Sequence, residues 1–417
     1  MVTYAELRSL DPQAWLDAGQ QWLDLAVAAL RVAEDVHEQV AAPLGSAWPD
    51  TVGRYAAAQI DVTSDGVLIA SLECRAAGYV CRGLGHVLTV CRHLADSAAR
   101  SAAASGLAIS DDGVVGEDPR QRVPGRADEV QTRIADLQTL VDQAVSSATR
   151  ADGTAREQLD RLADQTTVTD VVAAENDDLG AASRAEVDML DGLVPHGAAA
   201  DNTRWWAALS EEDRRLLMLS SAGTLDTVAG LPDDVRAALR GSDKFDRSAT
   251  ARWAADHWND TSDDPFDDNC TNFASNSLAG GGLAENSDFW LGTLSDDSWS
   301  KGGQTGNSWI DSKDYSHSAS WAQAATFYDY MLDHGATDVG TAAARPGDIV
   351  MWEGTDGVHH AAVVTSVVDG DIRYTQHTGE QLNASLQGRE PLTEDGAATT
   401  DGWGAQKIHV LRINPDW

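Results

Sequence analysis

Between residues 11 and 41 the apolar positions recur at helical spacing. Trp15, Trp22, Ala29 and Val36 lie seven apart, and Ala18, Leu25 and Val32 follow three positions after them. Such a seam predicts a long helix that packs along another helix. Leu16, Leu23 and Leu30 form a second stripe one position from the first. The helix is expected to stop near Pro43, where the connector PLGSAWPD begins. Asp50 or Thr51 can cap a second helix, expected to reach about Ser105 with a break at Asp65-Gly66. So short a connector makes the pair an antiparallel hairpin with the Trp15/Trp22 seam inside. Residues 106–125 are rich in turn formers. Val130, Ile134, Leu137, Val141, Ala144 and Ala148 then predict a third helix, and another covers about 154–166. The leucine stripe either packs on that third helix or stays open to a partner. Ser210 with Glu211 and Glu212, and later Pro232-Asp233, start two short helices.

After residue 250 the pattern changes. Trp, Gly, Asn and Asp become frequent, and strand-like runs appear at 345–352, 359–367 and 372–377. Asp369-Gly370 is a two-residue hairpin signal between the last two. The fold class expected is therefore α+β: an N-terminal all-α bundle or hairpin, then an α+β domain with an antiparallel sheet. The boundaries expected are 1–195 for the helical region, 196–245 for a helical linker, and 246–417 for a catalytic domain.

Composition narrows the function. Acidic residues number 66 against 30 basic ones, a formal charge of −36. That surplus excludes nucleic acid as a partner, since phosphates could not be neutralised, and it argues against anionic membranes. No apolar run approaches the roughly 20 residues of a membrane span, and the N-terminus lacks the pattern of an ordinary signal peptide. Cys74, Cys81 and Cys91 share one helical stretch, the first two about 10 Å apart, beyond disulfide reach. They are expected as small buried residues of a chain that folds in a reducing compartment.

Cys270 differs from those three. It sits in Asp268-Asn269-Cys270-Thr271-Asn272-Phe273, after residues that cap helices and before an apolar helical side made by Phe273, Ala274 and Leu278. Gly280-Gly281-Gly282 end that helix. A thiol at a helix N-terminus faces the positive end of the dipole, which favours the nucleophilic thiolate. Such a nucleophile needs a base. If two residues, 369 and 370, form the hairpin loop, Val368 pairs with Asp371 and Ala362 falls opposite His377. His360 then shares a face with Ala362, diagonal to His377, while His359 points away. This register makes His360 the base and His377 its orienting partner; a three-residue loop would favour His359. The expected set is Cys270, His360 and His377, with the Cys270 N–H and Asn269 on the oxyanion. Trp290, Trp299, Trp309 and Trp321 are candidates for lining a cleft or filling the core. The pair His359-His360 lacks further ligands at metal spacing, so no metal and no cofactor are expected. The acidic run 263–268 lacks a calcium-loop spacing and is expected as a solvated loop.

Cys-Thr-Asn-Phe followed by glycines, Pro-Gly-Asp-Ile-Val, His-Ala-x-Val-Val-Thr and Tyr-x-Gln-His-Thr resemble the "Putative amidase domain" family, within the NlpC and papain-like (NlpC/CHAP-like) cysteine hydrolases. The resemblance covers about 250–417. It implies that Cys270 is the nucleophile, His360 the base and His377 the third polar residue, in a domain that hydrolyses amides such as those of peptidoglycan. Asn269 stands where the family has Asp, and Asn276 near a usual Gln. At the other end, two long helices joined by a loop with Trp48 resemble the WXG-type hairpins of type VII secretion substrates, although Trp48-Pro49-Asp50 replaces Trp-X-Gly. The segment RWWAALSEEDRRLL with LDTVAGLPDDVRAALRG resembles a linker of large actinobacterial proteins of that group. These likenesses imply export without a signal peptide, a small helical secretion partner and, for an antibacterial toxin, an immunity protein. The alternatives are a protein-directed transacylase or deamidase on the same fold, and a non-enzymatic helical interaction protein.

Overall fold

The computed structural model describes residues 2–121, 124–164, 170–241, 244–262, 264–286, 298–301, 317–389, 397–398 and 406–417. Contacts divide the chain into two compact units, Met1–Arg214 and Arg215–Trp417. Together they give the α+β class expected, with helices in the first and an antiparallel sheet in the second.

The first unit is built on a helical hairpin. Helix α1 (Gln13–Val36) runs through a π turn at His37–Ala41 into a short helix, Ala42–Ala47. Pro43 therefore falls directly after a π turn inside a continuous helix, and the chain stays helical beyond it. Asp50 caps α2 (Thr51–Ala104), its carboxylate accepting from the Val52 and Gly53 N–H groups. This helix is unbroken at Gly66, and the helix that follows, α3 (Ala127–Asp164), joins two segments expected to be separate. A two-stranded ribbon, β1 (Leu107–Ile109) and β2 (Val115–Glu117), lies between them.

The hairpin closes on small residues, not on tryptophan. Gly19, Ala26 and Ala33 are the buried positions of α1. They face Gly78, Ser71 and Ser64 of α2, also seven apart but running the other way. The Ser71 hydroxyl donates to the Ala26 carbonyl and that of Ser64 to Ala33, both at 2.7 Å. A Cβ on Gly78 would stand 2.9 Å from Leu23, and one on Gly85 2.7 Å from Leu16. The expected orientation is thus reversed. The Leu16 and Leu23 stripe packs inward, and Trp15, Trp22, Leu25 and Val32 are 38–50% exposed. Backbones that approach this closely leave no room for indole rings between them. Helix α3 packs on α2. A buried pair, Arg82 Nε to Glu186 Oε1 at 2.6 Å and Nη2 to Oε2 at 3.1 Å, ties α2 to α4 (Gly180–Asp191).

The second unit begins with short helices, among them α5 (Asp233–Arg240) and α6 (Arg247–Asp256). Its sheet has the order β3-β9-β4-β5-β6-β7, all neighbours antiparallel, with β8 also on β9. The strands are β3 (Thr337–Asp338), β4 (Ile349–Gly354), β5 (Gly357–Val368), β6 (Asp371–Gln376), β7 (Gln381–Ser385), β8 (Ala397–Ala398) and β9 (Gln406–Arg412). Alternation sorts β4 cleanly: Ile349 and Met351 join one core, Val350 and Trp352 the other. The first core packs the sheet against α7 (Cys270–Gly280) through Phe273, Ala274 and Leu278, and against α8 (Ala324–Asp333) through Phe327, Tyr330 and Met331. Trp299 and Trp321 are fully buried there, their rings 4.4 Å apart, as core and not cleft; Trp290 and Trp309 lie outside the described residues.

The α1/α2 seam yields a prediction. Gly78→Val should destabilise the first unit by about 1–3 kcal/mol, because its side chain would be forced into Leu23. Thermal unfolding monitored by helical circular dichroism would measure it, and an unchanged melting curve would show that the helices are not held this closely.

Candidate active site

Cys270 is the first residue of α7 and is buried, with Asn269 at the N-cap position. The first-turn N–H groups of a helix have no partner within it, so the sulfur lies at a cluster of free donors. Phe273 and Leu278 press this helix onto the sheet and so bring the sulfur to the middle of β5. There the Cys270 thiol is hydrogen-bonded to the His360 side chain and accepts from the Ala361 backbone, and its sulfur is 3.7 Å from the Thr271 hydroxyl. Burial pushes the thiol pKa up. The His360 hydrogen bond and charge, helped by Thr271 and Ala361, outweigh that effect and bring it from 9.0 to about 7.

The ring of His360 is held by Gln376. Its Nε2 lies 2.7 Å from Gln376 Oε1. The amide cannot be turned round, because Gln376 Nε2 donates to the carbonyls of Gly379, at 3.2 Å, and Thr378, at 3.4 Å. Gln376 Oε1 is therefore an acceptor, and His360 carries its proton on Nε2. Nδ1 is left with a lone pair for the Cys270 thiol, the tautomer that a general base requires.

His377 takes no part in this contact. The hairpin loop is as expected, with Val368 paired to Asp371 and positive φ at both Asp369 and Gly370. The register then shifts between Val364 and Ser366, so that Val364 pairs with Tyr374 and Val363 with Thr375. Thr365 is the extra residue of this bulge, its hydroxyl 2.7 Å from Asn383 Oδ1 and 3.1 Å from the Thr375 hydroxyl. One inserted residue moves the partner of His360 from His377 to Gln376. The imidazole of His377 is buried elsewhere: Nδ1 meets Asp264 at 2.8 Å, Nε2 donates to the His257 carbonyl at 2.9 Å, and the ring stacks on Phe273 at 4.1 Å. Asp264 belongs to the acidic run read as a solvated loop, and it has this definite partner. A second irregularity, between Trp352 and Glu353, makes His359 the extra residue of a bulge, whereas His360 sits opposite Trp352.

Asn269 makes no capping bond. A second chain of contacts fixes its amide. The indole Nε1 of Trp321, which can only donate, bonds Asn272 Oδ1 at 2.8 Å. Asn272 Nδ2 then donates to Asn269 Oδ1 at 3.0 Å. Asn269 Nδ2 is consequently the end without a partner, and it is buried. The Asn269 N–H donates to the Thr378 hydroxyl at 2.7 Å. Thr378 has φ 68°, unusual for a β-branched residue. The loop after β6 thus touches both Gln376 and the start of α7. Among the described residues no group of His, Cys, Asp and Glu is placed to hold a metal ion.

Residues 244–399 match the "Putative amidase domain" family. The match takes in Cys270, His360 and Gln376, so the site just described lies inside the matched segment. It covers less than half of the chain and leaves the helical unit outside it. No curated protein and no solved structure matches the chain.

The lowered thiol pKa of Cys270 predicts its reactivity. Alkylation of Cys270 by iodoacetamide should accelerate as pH rises through a midpoint near 7, and His360→Ala should move that midpoint upward. A wild-type midpoint near 9 would exclude the contact between the two residues.

Proposed function

We propose that the amidase domain is a cysteine hydrolase of the papain-like type, with Cys270 as nucleophile and His360 as general base and acid. The observation that carries this reading is a thiol at a helix N-terminus bonded to a histidine whose tautomer Gln376 fixes. The Cys270 sulfur attacks the amide carbonyl carbon after His360 Nδ1 takes its proton. The tetrahedral oxyanion accepts from the Cys270 N–H and Asn269 Nδ2, the orphaned donor beside it. The C–N bond breaks as the imidazolium protonates the leaving amine. His360 next removes a proton from water, whose oxygen displaces the thioester sulfur and releases the acid. Gln376 takes the orienting role earlier expected of His377.

The substrate we propose is a peptide amide of peptidoglycan, a reading supported by the likeness of the motifs to the NlpC group. We further propose that the helical unit directs export as an antibacterial toxin or wall enzyme. The exposed Trp15, Trp22, Leu25 and Val32 face supports a helical partner there.

Digestion of purified sacculi followed by muropeptide analysis tests substrate and chemistry together. New amide-cleaved muropeptides should appear with the wild type and vanish with Cys270→Ala. Gln376→Ala should lower kcat roughly 10- to 100-fold, part of the 10²–10⁴ that general acid–base catalysis contributes, and His359→Ala should cost far less than His360→Ala. Cleavage that survives Cys270→Ala would sink the mechanism; intact sacculi, with a peptide amide still hydrolysed, would sink only the substrate. Replacing Trp22 and Leu25 by Ser should keep the protein inside the producing cell while the purified variant remains active. Undiminished export would remove the role of that face.

A further inference from the structure

A cavity in the Arg215–Trp417 unit shares no residue with the cysteine site. It has a volume of about 310 Å³ and is lined by Arg247, Arg345 and Arg412 together with Gly241, Thr337 and Asn414, among others. It lies by the turn that opens β4, whereas His360 pairs with Trp352 three residues further along that strand.

Two guanidinium groups, of Arg412 and Arg247, act on one buried carboxylate there, Asp348, which also accepts from the Arg345 backbone N–H at 2.8 Å. Arg412 grips Asp348 with Nε at 3.2 Å and Nη2 at 2.8 Å, and its Nη2 also donates to the Ala343 carbonyl. That pair neutralises itself. Arg247 is only 6% exposed. Its Nη2 donates to the Ala238 carbonyl at 3.1 Å, and its Nε has no partner. The side chain of Arg345 is exposed and makes no hydrogen bond or ion pair among the described residues. Asp246, which also favours the charge on Arg247, caps α6 and pairs at 3.1 Å with Arg240, which Asp226 holds at 3.0 Å as well. Burial lowers the pKa of Arg247; Asp348 opposes that shift, and the charges of Arg412 and Arg345 add to it. Positive charge is thus incompletely balanced in the cavity, in a chain of net charge −36. Burying an incompletely paired guanidinium is costly, and an anion would remove that cost.

We infer that this cavity binds a phosphate group, held between the Arg247 Nε–H and the guanidinium of Arg345 with Arg412 behind. Guanidinium forks suit the several oxygens of a phosphate. The volume exceeds what inorganic phosphate fills, which favours a phosphate monoester of a small molecule.

Thermal unfolding of the full chain at low ionic strength, with inorganic phosphate, phenyl phosphate or chloride at matched ionic strength, tests this. Both phosphates should raise Tm beyond chloride, and phenyl phosphate should do so at a lower concentration if the ligand is an ester. Equal potency would assign the site to free phosphate. Arg345→Glu, which reverses the charge of a side chain that makes no bond in the fold, should abolish the phosphate shift. Isothermal titration should show the same loss. No shift beyond chloride, or an equal shift in Arg345→Glu, would overturn the site.

Discussion

The contact between the Cys270 sulfur and the His360 ring governs the arrangement of the C-terminal unit. A thiol buried among apolar groups resists ionisation, and only a correctly turned imidazole reverses that resistance. Each surrounding element serves the turn of a side chain. The loop after β6 fixes Gln376, Gln376 fixes His360, and Phe273 and Leu278 press α7 to the depth at which the sulfur reaches β5. Trp321, deep in the core, sets the amides of Asn272 and Asn269 from the other side. Two chains of hydrogen bonds, each ending on groups that can only donate or only accept, leave the site one orientation of its amides.

The helical unit depends on a different constraint. Its two long helices touch through glycine, alanine and serine, and the serine hydroxyls bond carbonyls across the seam. Packing of this kind stabilises by close contact of backbones and releases the larger side chains to the outer face. Apolar bulk at heptad spacing marked the outward face of α1, while the inward face was marked by the smaller residues between.

Much of the architecture was nevertheless legible. Asp50 as a cap, the Asp369-Gly370 hairpin, the β4 and β5 strands and the start of α7 at Cys270 all follow from local rules that tertiary contacts did not override. The nearness of Cys270 and His360 was legible too, since residue type and periodicity limit the choices. Gln376 was not. The bulge at Thr365 has no mark in the sequence that distinguishes it from regular pairing, and one residue of slip exchanges neighbours on a face. Thr365 is held by Asn383 and Thr375, contacts that only the folded sheet brings together. The orientation of α1 was misread for a related reason: a pattern of large apolar residues identifies a stripe but not what lies against it.

That His360 leans on an amide instead of a carboxylate has a consequence for the resting protein. Gln376 offers a dipole but no net charge, so the imidazolium gains little extra stabilisation. With a thiol pKa of about 7, thiol and thiolate are comparably populated at neutral pH. The sulfur is then poised between two protonation states and not committed to either. Mild acidification alone would silence it reversibly, without any movement of the backbone.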